Sequence, residues 1–377
     1  MESYLKEYEF EIVTKAPVFI GSGATVGKKE YIYNRRENRV TFLDLGKMYQ
    51  GLTKLHLMTA FQEYMLKERY DLFYFMKNHN ISQKQYSLWS DYSAVVGDPQ
   101  MISRSASAIS CFVKDVYGQP YIPGSSLKGA LRTILQTDYY LKNPRQSEEM
   151  AGLIRDESRK RGRTKYDEIE KKMSQRTFHR QLFPDTEMEE TQNDILRGLM
   201  ISDSEPLSKN VMCICQKIDL GLDGRQKRLN VLRECIAPGT VVRFKITIDK
   251  SVCRYTAKEI VEATRRFYKN YLQEFAGKYP SAPEIKGAEV VFYLGGGAGY
   301  VSKTTTYAVM HGTDAVKTVG SILNGNLSRQ KDLQAKHGHL NDVKRGASPH
   351  TLKCTIYDGT MYQMGACCIR KMKIKPQ

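Results

Sequence analysis

The chain lacks any run of the roughly 18 apolar residues that a helix needs to cross a bilayer. Its opening residues, MESYLKEYEF, hold no apolar stretch of the signal-peptide kind, so a cytoplasmic protein without a membrane partner is expected. Also missing is any C-x-x-C pair. The eight cysteines (Cys111, Cys213, Cys215, Cys235, Cys253, Cys354, Cys367 and Cys368) mostly occupy strand-like apolar runs such as VMCICQKI, where buried free thiols are expected. His337 and His339 form an H-x-H without a cysteine or carboxylate set beside it, and neither a metal nor a cofactor is expected. Acidic residues are in short supply: 41 Asp and Glu stand against 58 Lys and Arg, a net charge of +17. The shortage is sharpest near the end, where residues 301–377 hold twelve Lys and Arg, four Asp and no Glu. Such an excess favours an anionic partner, and nucleic acid is the commonest one.

What is present suits a globular protein of about two domains, with 41% hydrophobic residues over 377 positions. A strand is predicted over Glu9–Thr14, then the glycine-punctuated IGSGATVG, then a hairpin of KEYIYN and RVTFLD about RREN. Leu45 to Asn78 has the period of two helices. From about 143 to 180 both charge signs crowd together, as in RDESRKRGRTKYDEIEKK, which predicts a solvated helical insertion or a partly disordered arm. RLNVLRECIAPGTVVRFKITID predicts two strands about a Pro-Gly turn. TAKEIVEATRRFYKNYLQEF predicts a helix with a Thr256–Glu259 capping box and an inward face of Ile260, Ala263, Thr264, Phe267 and Tyr271. Hairpins mixed with single long helices indicate an α+β fold of ferredoxin-like units. Two parts are expected, a core over 1–250 that contains the charged insertion, and a half over 251–377 packed against it.

Two glycine-rich joints carry the functional signal. In YIPGSSLKGALRTIL, Leu127, Ala130, Leu131, Ile134 and Leu135 mark one inward helical face, while Lys128 and Arg132 lie on the other. Ser125 or Ser126 can cap the first turn, and free N–H groups beside a first-turn lysine suit an anion. The second joint is Gly295-Gly296-Gly297-Ala298-Gly299, followed by Tyr300 and Lys303. Its glycines let the backbone approach another chain closely. The phosphate-loop pattern G-x-x-x-x-G-K-[ST] fails at Ser302, and so does the third glycine of G-x-G-x-x-G, so both nucleotide motifs are near misses.

YIPGSSLKGALR resembles the N-terminal signature of the RAMP superfamily, the RNA-binding proteins of CRISPR effector complexes. IGSG near residue 20, LMISDS at 199–204 and LGGGAGYVSKT after a late strand are similar to that family in the same order. The last form points to the branch that caps the backbone of type III-A (Csm) complexes. The resemblance implies an RRM-like, ferredoxin-type palm with helical insertions and a second, degenerate half. It implies a non-catalytic subunit that binds the 3′ part of the crRNA and aids its maturation and antiviral defence. Target RNA would be met indirectly. The partners would be a backbone RAMP subunit, the small subunit and host nucleases that trim the guide. Ser125, Ser126, Lys128 and Arg132 would hold phosphates; Gly295, Gly296, Gly297, Gly299, Tyr300 and Lys303 would make a second contact, with Tyr300 stacking on a base.

Cutting members of the family use an aspartate on the loop before P-G-S-S. The matching positions here, near Ile109 and Ser110 in SASAISCF, hold no carboxylate. Asp115 is expected to form a turn, and Asp203 to cap local backbone. The alternative is a metal-independent RAMP endoribonuclease with a histidine for acid–base work, for which His311, after the glycine loop, is the candidate.

Overall fold

Apolar residues alternate along β1 (Leu5–Thr14), burying Phe10, Ile12 and Thr14 and leaving the intervening carboxylates on the other face. β2 (Gly21–Val26) is exposed along most of its length, whereas β3 (Tyr31–Asn34) and β4 (Arg39–Leu43) pair as a hairpin whose residues are mostly buried. A helical unit follows, α1 (Leu45–Lys54), α2 (Met58–Lys67), α3 (Leu72–Asn78) and α4 (Gln83–Ser87); the stretch from Leu45 to Asn78 thus holds three helices where its period suggested two, and α4 lies beyond it. The computed structural model describes residues 4–67, 69–100, 108–159, 166–180, 190–327 and 330–374.

β5 (Ser90–Val96) and β6 (Ile109–Phe112) lead to α5 (Gly124–Lys142). The charged insertion becomes α6 (Pro144–Arg159) and α7 (Tyr166–Phe178), and it is more than a wet arm. Met150, Ala151, Ile154, Ile169, Met173 and Phe178 are buried in the main core, because the sparse apolar residues fall at helical spacing. After α8 (Glu190–Asn193) come β7 (Leu199–Ile201), β8 (Met212–Gly221), β9 (Gln226–Ile236) and β10 (Val241–Asp249). Thr256 and Glu259 form the expected capping box on α9 (Ala257–Glu274), and its predicted apolar face is buried. The remainder is β11 (Val291–Tyr293), α10 (Thr306–Val309), α11 (Gly312–Asn326), α12 (Lys331–His337), α13 (Asp342–Arg345), β12 (Thr351–Tyr357), β13 (Thr360–Gln363) and β14 (Ala366–Ile374).

Five strands form one antiparallel sheet in the order β11-β14-β1-β10-β7. The other sheet runs β2-β6-β9-β8-β5-β4-β3, with β12 beside the second half of β8 and β13 beside β12. The Pro-Gly turn between β9 and β10 does not close a hairpin; it hands the chain from one sheet to the other. Strands from either side of residue 250 therefore share both sheets. One core lies under the two sheets, while α1–α4 close a second core around Phe61, Phe75, Tyr86 and Trp89. All eight cysteines are free, six of them buried.

Candidate nucleic-acid interface

The entrance to α5 is closed by the protein itself. Neither Ser125 nor Ser126 caps the helix; Pro123 stands at the N-cap without a side-chain bond. The Gly124 N–H donates to Asp203 Oδ1 at 2.8 Å, so Asp203 caps this helix from 79 residues away. Gly124 is required because a Cβ would lie 2.4 Å from the Ile201 carbonyl oxygen and 2.5 Å from that of Ser202. Arg132 forms an ion pair with Asp194, donates to Ser174 at 3.2 Å and lies over the Phe178 ring at 4.6 Å. It is already committed to protein partners. Lys128 has no ion pair among the described residues, and burial lowers its ammonium against the pull of Asp194. Of the four residues expected here, Arg132 is the one engaged by protein partners, while Ser125 is exposed and Ser126 and Lys128 are half-buried.

The glycine loop leaves β11 at the opposite edge of the five-stranded sheet. Gly295 (φ +74°), Gly297 (φ +87°) and Gly299 (φ +95°) adopt backbone that L side chains rarely take. The close approach expected of this loop is made first to its own chain. A Cβ on Gly295 would stand 2.0 Å from the Phe19 carbonyl oxygen, which accepts from the Gly296 N–H at 2.7 Å. Tyr300 does not offer its ring freely: it packs against the core, and its hydroxyl reaches Thr306 Oγ1 at 3.5 Å. The stacking role expected of it is not open in this arrangement.

What the loop meets was not visible in the motifs. A Cβ on Gly297 would fall 2.1 Å from Arg233 Nη1, and one on Gly299 would fall 3.4 Å from Lys353 Cγ. Arg233 on β9, Lys217 on β8, Lys353 on β12 and Lys303 after the loop thus form one cationic crease. Arg233 lies over the Phe19 ring at 5.1 Å and donates to Met364 Sδ at 3.6 Å. Burial pushes its guanidinium down. Burial also lowers Lys217, and the charges of Lys353 and Arg233 add to the shift. Lys303, at the surface, is lowered by the protein around its ammonium and by Arg233. Asp219, 2.8 Å from Lys353 Nζ, is the carboxylate that pairs into this group. Four cations with one acid paired among them hold a standing attraction for an anion. The signal that could have found them is the alternation of β8 and β9, which places Lys217 and Arg233 off the buried face.

Elsewhere, Asp115 Oδ1 accepts from the N–H groups of Tyr117 at 2.9 Å and Gln119 at 2.8 Å, the turn role expected of it. Ser110 lies in β6; the loop residues 101–107 before it are outside the described residues. His311 is exposed, its Nδ1 3.1 Å from Glu274 Oε1. The ligand atoms of His339, Asp342 and His350 lie within 4.8 Å of one another. Arg345 and Ser348 also bond the Asp342 carboxylate, so a guanidinium occupies the place a cation would take. Burial alone would raise Asp342, but hydrogen bonds from His339, His350 and Ser348 outweigh it and hold the carboxyl well below its ordinary value. His337 stacks on His339 with ring centroids 5.7 Å apart. This is a hydrogen-bonded knot that ties α13 to the approach of β12.

The RAMP superfamily model matches residues 11–300. The chain is 28% identical to the CRISPR system Cms protein Csm5 of Enterococcus italicus, with 97% of each chain covered. It is 29% identical to the protein of that name from Mycobacterium tuberculosis, covering 97% of this chain and 98% of that one. The corresponding protein of Streptococcus thermophilus is 26% identical, with 91% and 90% covered. Among solved structures, a crystal structure of T. onnurineus Csm5 has a TM-score of 0.61 at 18% identity, covering 95% of this chain and all of that one. A chain of a cryo-EM Csm-crRNA-target RNA ternary complex has a TM-score of 0.59 at 19% identity, with 96% and 100% covered. Those two likenesses speak for the fold. With a family model that spans most of its length, the chain belongs to the RAMP superfamily.

Proposed function

We propose that this chain is the crRNA-binding subunit that caps the backbone of a type III-A Csm complex, holding the 3′ part of the guide without cutting it. The observation that carries the reading is the cationic crease: Arg233, Lys217, Lys303 and Lys353 around a glycine loop, paired with a single carboxylate. Lysine and arginine held at fixed spacing, with too few acids to neutralise them, bind a phosphate backbone by charge and shape and leave base edges free. The curated relatives bear the name Csm5 over nearly the whole chain, and one structural neighbour comes from a complex of Csm proteins with crRNA and target RNA. Gly295, Gly296, Gly297 and Gly299 shape the crease; Ser125 and Lys128 would make a lesser contact at the other edge of the sheet. The backbone RAMP subunit, the small subunit and trimming nucleases are the proteins it would meet.

The five-stranded sheet supports a ferredoxin-type palm. α5 links β1 to β7, α9 follows β10, and β14 returns beside β1, the order β14-β1-β10-β7 of a β-α-β-β-α-β unit. α5 and α9 lie together, tied by the Arg266–Asp138 ion pair. β11 is then an added edge strand, and residues 251–377 complete the palm while adding the glycine loop.

The test is a tagged chain purified with the other subunits of its complex, followed by sequencing of the extracted guide. Lys217→Glu with Lys303→Glu should give shortened or ragged 3′ ends, and uniform full-length guides on the folded variant would contradict the reading. RNA incubated with the protein, with or without Mg²⁺, should stay intact. Cleavage abolished by His311→Ala would instead establish the endoribonuclease.

A further inference from the structure

The helical unit α1–α4 has its own core, apart from the crease, and it carries a recess of about 1000 Å³ between the β3–β4 turn and α3. Lys28, Arg35, Arg36, Arg69 and Lys77 line it against one carboxylate, Asp71. That carboxylate already accepts from the Tyr74 N–H at 3.0 Å, as the cap of α3. Lys28 donates to the Arg69 carbonyl. Arg35, Arg36, Arg69 and Lys77 are exposed and enter no ion pair among the described residues. At the wall, Tyr70 and Tyr74 stack with centroids 4.2 Å apart and an interplanar angle of 27°, and both rings remain exposed, at 54% and 39%. Phe73 beside them is also exposed.

Uncompensated cations and an open aromatic stack, brought together in one concavity, suit one chemistry. Phosphates satisfy the guanidinium and ammonium groups, and unpaired bases extend the tyrosine stack. A duplex would hide its base faces from the rings. We propose that this recess is a second RNA site, one that takes an unpaired segment of a few nucleotides by stacking on Tyr70 and Tyr74 and by phosphate contacts from Arg35 and Arg36. It rests on the reading of the chain as an RNA-binding subunit and adds a site that neither glycine joint contains. A single strand that leaves the crease would be gripped again on the helical unit.

The experiment measures fluorescence anisotropy of the full chain with labelled oligouridine, and with the same strand paired to oligoadenosine. Tyr70→Ala with Tyr74→Ala should weaken single-strand binding by about tenfold and leave duplex binding unchanged. Tyr70→Phe with Tyr74→Phe should restore it. Arg35→Gln with Arg36→Gln should lower the slope of log affinity against log salt by about 1.4, for two phosphate contacts. Photo-crosslinking of 4-thiouridine RNA to Tyr70 or Tyr74 in the unchanged chain reads the same contact without a variant. If the recess variants bind like the parent and no crosslink forms there, while Lys217→Gln with Lys303→Gln loses binding, the recess proposal falls and the crease stands. If neither set changes binding, both fall. Normal RNA binding together with loss of the partner subunits on purification would make the recess a protein-docking face and overturn the proposal.

Discussion

The open face of the five-stranded sheet and the crease beside the glycine loop are both rich in cations, but they differ in what surrounds them. On the sheet face Lys245 lies 2.8 Å from Glu7, Lys371 lies 2.9 Å from Glu9, and Arg243 and Arg370 lie 3.1 and 3.2 Å from Glu11. Each cation there faces a carboxylate across the strands. In the crease, one acid pairs among four cations; burial lowers Lys217 and Lys303, and the charge of Arg233 adds to both shifts. A net charge of +17 favours an anionic partner, and local compensation separates the neutralised face from the crease proposed to hold it. The open sheet face is thus neutralised by its own carboxylates, whereas the loop edge keeps an excess of cations.

The sharpest way to break this contrast is to remove the crease. Gly295→Val places a Cβ against the Phe19 carbonyl at positive φ, and unfolding in urea should show a loss of at least about 3 kcal/mol. A folded variant of parental stability would mean that the loop can re-route and does not define the crease. The same geometry revises an expectation drawn from the motif alone. Bulk at Gly297 meets Arg233 and Met364, so it would disturb the crease before it disturbed any RNA.

Charge reversal compares the two regions directly. Lys217→Glu with Lys303→Glu should weaken RNA binding roughly 100-fold, as expected when two charge-assisted hydrogen bonds are removed. Lys245→Glu with Lys371→Glu on the sheet face should change it less than about threefold, since exposed paired charges contribute little. Equal effects in a gel-shift titration would erase the distinction between the regions.

A smaller effect follows from pH. Lys217 and Lys303 are lowered from the ordinary lysine value of 10.5. Both are charged below their lowered values, and as pH rises through that range toward 10.5 RNA affinity should fall. Stability runs the other way. The cost of keeping these lysines charged in the fold is fully present below the folded value and is relieved as pH rises toward the unfolded one. Anisotropy and denaturant midpoints taken across that range should therefore move in opposite directions, and Lys217→Met with Lys303→Met should flatten both.

Local chemistry was legible in the sequence and assembly was not. The faces of α5 and α9, the Thr256–Glu259 box and the Asp115 turn each depend on residues a few positions apart, and all stand as expected. Both glycine joints were legible in residue types and spacing, and the resemblance then fell on the same two stretches. Lys303 was named with the glycine loop, but Lys217, Arg233 and Lys353 were missed because strand pairing, not spacing, brings together residues up to 136 positions apart. The place of β14 between β1 and β11 was hidden for the same reason. Ser125 and Ser126 were misjudged as caps because their competitor, Asp203, arrives from β7's continuation. Arg132 looked free because Asp194 and Phe178 lie 62 and 46 residues away in the chain.

The central claim is that the crease touches phosphates, and salt titration of RNA binding tests it most directly. For Lys217→Gln with Lys303→Gln, the slope of log affinity against log salt should fall by about 1.4, since each phosphate that a cation neutralises on a single strand accounts for roughly 0.7. A folded double variant with the parent's slope and affinity would mean that the crease does not hold the RNA backbone.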